Sequence, residues 1–351
     1  MSEIKIAIDL GIDYLHSHQY PNGEFCCYFA VDDAIEQWSR PDTTVFPTAL
    51  ILGSLLDLPQ TEQLLRIFEN AESFLMQQTM GHGVWGHYTK QHPLYRICPA
   101  DVDDTALASY VLSELGAQLP ENRHLLLYNR NAKGLFYTWF VLRFNSSKNR
   151  TYWKVLMQEL KTWGKTFALF MSKNQECSRN DIDAVVNANV IYYLKDYAKT
   201  ADVVSYLSSV IMEGRESSCD KWYLNPFTVY YFISRNYPYC PDLLAECRPV
   251  MIDRILATQQ GDGQLGTSAL DTALGISSLL FLECDDVSAI DRSVAYLLGQ
   301  QGEKGDWPRR LFYYGGPKKI VGWGSEELTT SFCLEALNRY YKLHSFEDEA
   351  I

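Results

Sequence analysis

Residues 77–85 read QQTMGHGVW and residues 101–115 read DVDDTALASYVLSEL, and the same succession of features recurs along the chain. An apolar helix ends in glutamine, a glycine-bearing turn and an aromatic or apolar residue follow, and a second apolar helix begins with a small acidic or amide motif. Glycine adopts the positive φ that ends a helix, and glutamine can bond the unpaired backbone groups of a neighbouring helix end. Each such block is therefore expected to end one helix and start the next.

The block is repeated with variations over the whole sequence. Copies of the turn read HQYPNGEF (18–25), QQTMGHGVW (77–85), QQGDGQL (259–265) and QQGEKGDW (300–307), with weaker copies near Gln175 and Trp222. The apolar helices that follow start near Asp42, Asp101, Asn180, Asn225, Leu270 and Ser325. Six units at this spacing are typical of a repeat architecture whose units share a core.

The polarity of the helices predicts two layers. Helices that follow the turns are apolar nearly all round and should be buried, whereas those between them, such as 152–172, carry Lys, Glu and Gln on one face. Six alternations of inner and outer helices predict an all-α fold, an (α/α)6 barrel. No linker-like segment divides the sequence, so we expect a single domain over residues 1–351.

Composition excludes several classes of function. The chain has 351 residues, with 31 Lys and Arg against 43 Asp and Glu, and its net charge of −12 argues against nucleic acid or an anionic membrane as the main partner. No apolar run approaches the ~20 residues that a membrane-spanning helix needs, and the first residues lack a basic signal-peptide region. The nine cysteines include no CxxC pair. We therefore expect a cytoplasmic protein with reduced thiols.

The acidic triplet Asp101, Asp103 and Asp104 opens one inner helix. Three carboxylates within four residues repel one another, so a pocket that also desolvates them would keep at least one protonated near neutral pH. The alternative is helix capping, because Asp is a common N-cap and Asp101 and Asp104 have capping-box spacing.

If all inner helices run in the same direction, their N-termini meet at one mouth of the barrel. The acidic and amide residues gathered there would be Asp42, Asp101, Asp103, Asp104, Asp181, Asp183, Asn225, Asp271, Glu326 and Glu327. The positive helix ends lower carboxylate pKa values, whereas crowding and burial raise them. A one-sided acidic cluster at the end of a helical barrel predicts an active site.

These repeats resemble those shared by squalene and oxidosqualene cyclases, class II diterpene cyclases and protein prenyltransferase β subunits, and the resemblance covers nearly the whole chain. The DVDDTA string resembles the DxDD motif of the class II, protonation-initiated terpene cyclases. The resemblance implies that Asp103 is the general acid that protonates the terminal alkene or epoxide of a linear isoprenoid. It also implies that Asp101 and Asp104 hold the geometry of this acid and tune its proton affinity.

A carbocation must be shielded from water and faced by electron-rich rings. The candidate substrate-binding rings near the expected mouth are His87, Tyr88, Tyr95, Phe227, Tyr231, Tyr313 and Trp323. For each of these, packing in the core is the alternative. Trp85 and Trp307 are expected to pack within the repeat, and His87 and His92 could hydrogen-bond a carboxylate of the triplet.

A diphosphate on the substrate would need cations. The loop WPRRLFYYGGPKKIVGWG supplies Arg309, Arg310, Lys318 and Lys319 beside glycine-rich backbone, which suits phosphate oxygens, although a solvated loop is the alternative. Protonation requires no cofactor. A bound diphosphate would allow for magnesium, but no dedicated metal site can be read from the sequence.

Class II cyclases usually hold the reacting chain between two helical barrels, and this chain has room for one. Its own loops, such as 120–150, a second copy of the chain or another subunit would have to close the cavity. The other functions considered are a non-catalytic isoprenoid-binding barrel and a prenyltransferase β-subunit-like protein. The latter binds zinc through an Asp, a Cys two residues on and a distant His, and the string from Asp181 to Asp183 lacks the Cys. An (α/α)6 glycosidase ranks last.

Overall fold

Helices make up most of the regular structure. The computed structural model describes residues 2–143, 149–160 and 177–349. In chain order its helices are α1 (Ser2–His18), α2 (Phe46–Leu55), α3 (Glu62–Gln78), α4 (Val102–Glu114), α5 (Arg123–Tyr128), α6 (Arg150–Leu160), α7 (Ala184–Leu194), α8 (Ala201–Met212), α9 (Pro226–Ser234), α10 (Pro241–Leu244), α11 (Cys247–Leu256), α12 (Ala269–Phe281), α13 (Val287–Gly299) and α14 (Glu326–Glu349). A 3-10 turn spans Tyr237–Tyr239.

Six of these helices begin within a few residues of the predicted inner-helix starts. They are α2, α4, α7, α9, α12 and α14, and each contacts the next in this order, while α14 contacts α2. Every residue of α7 is buried, although its sequence AVVNANVIYYL is rich in β-branched and aromatic residues. Burial on all sides therefore outweighs its modest intrinsic helix propensity.

The helices between them bury one face. In α3, for example, Leu64, Ile67, Phe68, Ala71 and Leu75 are buried, which is the spacing of a single helix face. Helices α1, α3, α8, α11 and α13 each contact at least one inner helix. The predicted outer helix over 152–172 starts within α6, and its part beyond residue 160 lies outside the described residues.

The same two hydrogen bonds hold two copies of the recurring turn. The indole Nε1 of Trp85 donates to the carbonyl of Leu75 over 2.8 Å, and its backbone N–H donates to Oγ1 of Thr105 over 3.0 Å. Trp307 repeats this arrangement, with Leu297 accepting over 2.7 Å and Thr330 over 3.1 Å. Both tryptophans are fully buried, so each fixes an outer helix to the inner helix that follows it.

The predicted all-α fold is wrong in one respect, because the structure also contains a small antiparallel sheet. Its strands β1 (Cys27–Ala30), β2 (Ser39–Asp42), β3 (Arg310–Tyr314) and β4 (Gly322–Ser325) have the order β2-β1-β4-β3. The strands carry no alternating pattern that would predict them, because each is short, β4 is buried at all four positions, and a register shift interrupts β3.

The sheet lies beside the N-termini of two inner helices. Strand β2 ends four residues before α2 begins, and β4 leads directly into α14. Pairing of β1 with β4 joins segments almost 300 positions apart, for example Phe29 with Trp323. No helix within the described residues is both long and apolar enough to cross a membrane.

Candidate active site

A cavity of about 400 Å³ lies where α4 begins, bounded by the segment after Trp85 and by the β3–β4 hairpin. All three carboxylates of the predicted triplet line it. Its aromatic lining consists of Phe46, His87, Tyr88, Trp139, Trp222, Tyr223, Tyr313, Tyr314 and Trp323. Its outer part includes Leu94 and Ile320, of which Ile320 is 67% exposed. The site is thus an aromatic hollow with acids on one side and an apolar opening.

Asp101 is the N-cap of α4. Its Oδ1 accepts from the backbone N–H of Asp103 over 2.7 Å and of Asp104 over 3.2 Å. Its own N–H donates to the carbonyl of Trp85 over 2.8 Å instead of to Asp104, so the reciprocal capping-box bond is not made. The cap therefore fixes the first turn of α4 to the preceding repeat turn and leaves Asp104 free of a capping role.

Asp103 is held by residues from other parts of the ring. The Tyr223 hydroxyl donates to Oδ2 of Asp103 over 2.6 Å, and the Asn189 amide donates to Oδ1. The guanidinium of Arg235 donates to the amide oxygen of Asn189, which fixes the orientation of that amide. Asn189 lies on α7, and Arg235 follows α9. Both oxygens of Asp103 consequently accept bonds that stabilise its ionised form.

Opposing effects set the pKa of Asp103. Burial raises it above its ordinary value, because the side chain is removed from water. The bonds from Tyr223 and Asn189 and the charge of Arg235 act in the opposite direction. Asp103 is therefore a buried carboxyl whose conjugate base has its stabilising groups already in place.

The two neighbouring carboxyls have fewer compensating contacts. Burial and the adjacent carboxylates raise the pKa of Asp101 and of Asp104 well above the ordinary value. Oδ1 of Asp104 is buried and has no hydrogen-bond partner in the described part of the chain. An ionised carboxylate in that position would be costly, so we infer that Asp101 and Asp104 remain neutral more readily than Asp103.

Stacked and edge-on rings form much of the cavity wall. Tyr313 stacks on Trp323 with ring centroids 5.3 Å apart. Phe46 meets Tyr313 edge-on at 5.5 Å, and Tyr223 lies 6.4 Å from Tyr313. These contacts form one continuous aromatic surface that starts at the Asp103 partner Tyr223. Such surfaces present negative ring faces that attract a cation.

The predicted substrate-binding residues divide into two groups. His87, Tyr88, Tyr313 and Trp323 line the cavity, whereas Tyr95, Phe227 and Tyr231 do not. Tyr231 instead donates to Oε2 of Glu335 over 2.7 Å, and Phe227 packs on Tyr230 with ring centroids 6.2 Å apart. These two residues belong to α9, which is buried from Phe227 to Ser234, so that some of its rings face other helices.

The predicted basic cluster is not gathered around the cavity. Arg309 lies over the Tyr28 ring and 3.6 Å from Glu326, and Arg310 lies 3.8 Å from Asp33. Strand pairing places these arginines beside acids of neighbouring segments, which the sequence did not reveal. Lys318 and Lys319 precede the lining residue Ile320, and Nζ of Lys319 lies 5.0 Å from the centre of the Tyr314 ring.

Neither histidine upstream of the triplet bonds to it. Nε2 of His92 lies 3.1 Å from Oδ1 of Asp42, whose other oxygen accepts from the Trp323 indole over 2.9 Å. Nε2 of His87 is buried without a hydrogen-bond partner among the residues that the structure describes. The expectation that these histidines bond the triplet is therefore corrected. The described residues also contain no group of three or more His, Cys, Asp or Glu that could hold a metal ion.

No family model matches the chain, and no curated protein matches it in sequence. Solved structures are similar in fold. The type II terpene cyclase MstE from Scytonema superposes with a TM-score of 0.68 at 15% identity, covering 97% of this chain and 99% of that chain. A protein from Actinoplanes gives 0.68 at 16% identity, covering 96% and 99%. The ent-copalyl diphosphate synthase from Streptomyces platensis gives 0.52 at 17% identity, covering 84% of this chain and 50% of that chain.

The chain has the fold of the type II terpene cyclases. At these identities the similarity concerns the fold, and the chemistry has to be argued from the residues of this site. A variant of MstE has also been solved with geranylgeranyl dihydroxybenzoate, which is named as the substrate.

Several residues of the site gave no signal in the sequence. Asn189 and Tyr223 follow Asp103 by 86 and 120 positions, and neither belongs to a motif. Arg235 lies at the far end of a helix that reads as plain apolar sequence. Trp222 was assigned only to a weak repeat copy, although its indole donates to Asp183 over 3.2 Å at the cavity edge.

Proposed function

We propose that the chain is a class II terpene cyclase, a protonation-initiated enzyme built as one (α/α)6 barrel over residues 1–351. The observation that carries the proposal is the placement of Asp103, which is 6% exposed and faces an aromatic cavity. The ring order of the inner helices, the outer helices packed on them and the cyclase-like fold support it.

The first chemical step is proton transfer from Asp103 to the terminal alkene or epoxide of a linear isoprenoid. The O–H bond of the carboxyl breaks, its electrons remain on oxygen, and the substrate electrons form the new bond to hydrogen. An alkene is a very weak base, so the acid must be strong as well as dry. Tyr223 and Asn189 strengthen the acid because they already donate to the oxygens that become the carboxylate.

The neighbouring carboxyls have supporting roles. Asp101 fixes the backbone of Asp103 through the cap, and Asp104 remains neutral beside it. A neutral Asp104 adds no negative charge next to the forming carboxylate, which would otherwise hinder proton release from Asp103. The continuous rings of Tyr223, Tyr313 and Trp323 then face the carbocation as the substrate cyclises.

The proposed substrate is a linear isoprenoid of C15 or C20 length. The C20 chain is favoured by the likeness to MstE, whose named substrate carries a geranylgeranyl group. For a diphosphate, Lys318 and Lys319 are the better placed of the predicted cations because they adjoin Ile320 at the opening. Magnesium would accompany only such a diphosphate.

The chain's own loops supply much of the cavity boundary. Residues 94–98 and 314–321 both contribute lining side chains or backbone. This supports closure of the cavity by the single chain, and a homodimer or a second subunit is the alternative. Part of the predicted 120–150 lid, 144–148, lies outside the described residues.

One observation weighs against a prenyltransferase-like zinc site. Asp183 accepts from the Thr138 hydroxyl over 2.6 Å, from the Trp222 indole and from the backbone N–H of Lys221. Asp181 pairs with the ammonium of Lys221 over 2.5 Å. Both carboxylates of the predicted ligand string are therefore engaged in structural bonds.

The test is incubation of the purified chain with a panel of polyenes, followed by mass spectrometry of cyclised products. The panel contains farnesyl diphosphate, geranylgeranyl diphosphate, geranylgeranyl dihydroxybenzoate, squalene and oxidosqualene. We expect a cyclic isomer from at least one of them, and none from the folded Asp103→Asn variant. Binding of a polyene without any conversion would instead indicate the non-catalytic isoprenoid-binding barrel.

A further inference from the structure

His87 is a titratable group in the cavity that the protonation step does not use. Its imidazole lines the cavity and is surrounded by Tyr88, Tyr313 and Trp323, with ring centroids 4.8, 5.5 and 5.1 Å away. Nε2 has no hydrogen-bond partner in the described residues. A buried polar nitrogen without a protein partner is uncommon and calls for an explanation by function.

The surroundings keep His87 neutral. Burial lowers its pKa to about 4, and the nearby Asp42 opposes this effect. Asp42 is itself held between His92 at 3.1 Å and the Trp323 indole at 2.9 Å. An imidazole in this place therefore has a lone pair at neutral pH, and a carboxylate stands close enough to stabilise the imidazolium that forms when it takes a proton.

A run of neighbouring aromatic rings connects the acid Asp103 to the imidazole of His87. Tyr223 bonds to Asp103 over 2.6 Å, the Tyr223 and Tyr313 rings are 6.4 Å apart, and Tyr313 lies 5.5 Å from His87. A cation generated beside Asp103 and moved along the substrate by ring closure would travel over these rings. It would thereby approach His87, not the group that created it.

We propose that His87 is the terminating base, which removes a proton from the final carbocation and so determines which alkene is formed. This assignment rests on the proposed function. A C–H bond next to the cationic carbon breaks, its electron pair becomes the new double bond, and the proton passes to the imidazole. Asp103 has given one proton and His87 has gained one, so solvent exchange restores both groups and the substrate is isomerised without net change in atoms.

A weak base suffices for this step. Protons next to a carbocation are extremely acidic, so even an imidazole with a lowered pKa accepts one readily. The same lowered pKa prevents His87 from being protonated before the reaction, when a positive charge in the cavity would repel the developing cation. Asp103 must hold a proton before the reaction and His87 must not, so the two groups need different surroundings.

The experiment compares His87→Phe and His87→Gln with the unaltered chain, using geranylgeranyl dihydroxybenzoate and geranylgeranyl diphosphate as probes. His124→Phe is the matched control, because His124 lies on α5 and does not line the cavity. Circular dichroism establishes that each variant is folded. Substrate loss and the distribution of alkene isomers and water-quenched alcohols are measured by gas chromatography and mass spectrometry.

We expect both His87 variants to consume the probe at a reduced rate, while the share of the original alkene falls about tenfold or more in favour of other isomers and alcohols. His124→Phe should keep the original product. An unchanged product distribution in both folded His87 variants overturns the assignment and leaves the proposed function intact. Complete loss of consumption in them also overturns it, since His87 would then act in the protonation step. If the unaltered chain converts neither probe, both proposals fail for these substrates.

Discussion

The hydroxyl of Tyr223 donates to Oδ2 of Asp103 over 2.6 Å, joining two residues that are 120 positions apart. Both side chains are buried and both line the cavity. Because this bond favours the ionised form of Asp103, it opposes the increase in pKa that burial causes. The acid strength of the site consequently depends on a residue outside the acidic motif.

Removal of this hydroxyl is expected to weaken the acid. In Tyr223→Phe the pKa of Asp103 rises further, so kcat should fall by roughly 10- to 100-fold. Activity requires the protonated carboxyl. The pH above which activity falls should therefore be higher in Tyr223→Phe, and this fall is the high-pH limb of the profile. A pH profile of kcat measures both effects. A lower kcat with an unmoved high-pH limb would mean that Tyr223 acts on shape alone.

The Arg235–Asn189–Asp103 sequence of bonds should behave as a unit. Arg235 orients the amide of Asn189, and that amide donates to Asp103. We expect Asn189→Leu and Arg235→Met each to lower kcat by about tenfold or more, and the double variant to lose little beyond the larger single effect. A double-mutant cycle on kcat measures the coupling. Multiplicative losses would show that Arg235 acts on Asp103 mainly through its charge and not through the orientation of Asn189.

The stability of the fold should decrease as pH rises. Burial raises the pKa of Asp104 well above its ordinary value of 3.8, so the folded chain binds more protons than the unfolded chain above that pH. The free energy of unfolding then falls with rising pH. Asp104→Asn cannot ionise, so its free energy of unfolding relative to the unaltered chain should increase as the pH rises above the ordinary carboxyl value of 3.8. Urea unfolding at several pH values tests this, and a pH-independent difference would contradict it.

The recurring turn offers a stability test away from the cavity. Thr330→Val leaves the buried backbone N–H of Trp307 without its acceptor and should cost about 1 to 3 kcal/mol in free energy of unfolding. Thr329→Val is the matched control, because the Thr329 hydroxyl bonds only back to Ser325 on the preceding turn. Denaturant unfolding of both variants gives the comparison. Equal losses would show that the N–H bond to Thr330 is not important.

The inner helices could be predicted from the sequence because each has a polar start and several follow a glycine turn, as in 77–85 and 101–115. It also identified the acids of the site, since Asp101, Asp103 and Asp104 are contiguous with one of those marks. The partners of Asp103 could not be found in this way. They come from other inner elements, and only closure of the ring of helices brings them together.

Two cations of the basic loop, Arg309 and Arg310, lie beside acids of neighbouring segments for a different reason. Arg309 and Arg310 are close in sequence to glycine-rich backbone, but pairing of β3 with β4 and the nearby acids Glu326 and Asp33 decide where their charges lie. Arg310 and Asp33 are 277 positions apart, and such a contact leaves no periodic trace in the sequence. The short sheet was not predicted either, because its strands β1 and β4 pair across almost 300 positions.

The most direct test of the account is a reaction in deuterium oxide with the polyene that the unaltered chain cyclises. If Asp103 is the general acid, its exchangeable proton becomes deuterium, and each product molecule gains one deuterium at the carbon that is protonated first. The folded Asp103→Asn variant should form no labelled product. A cyclised product without deuterium at that carbon, or labelled product from Asp103→Asn, would contradict the central claim that Asp103 starts the reaction.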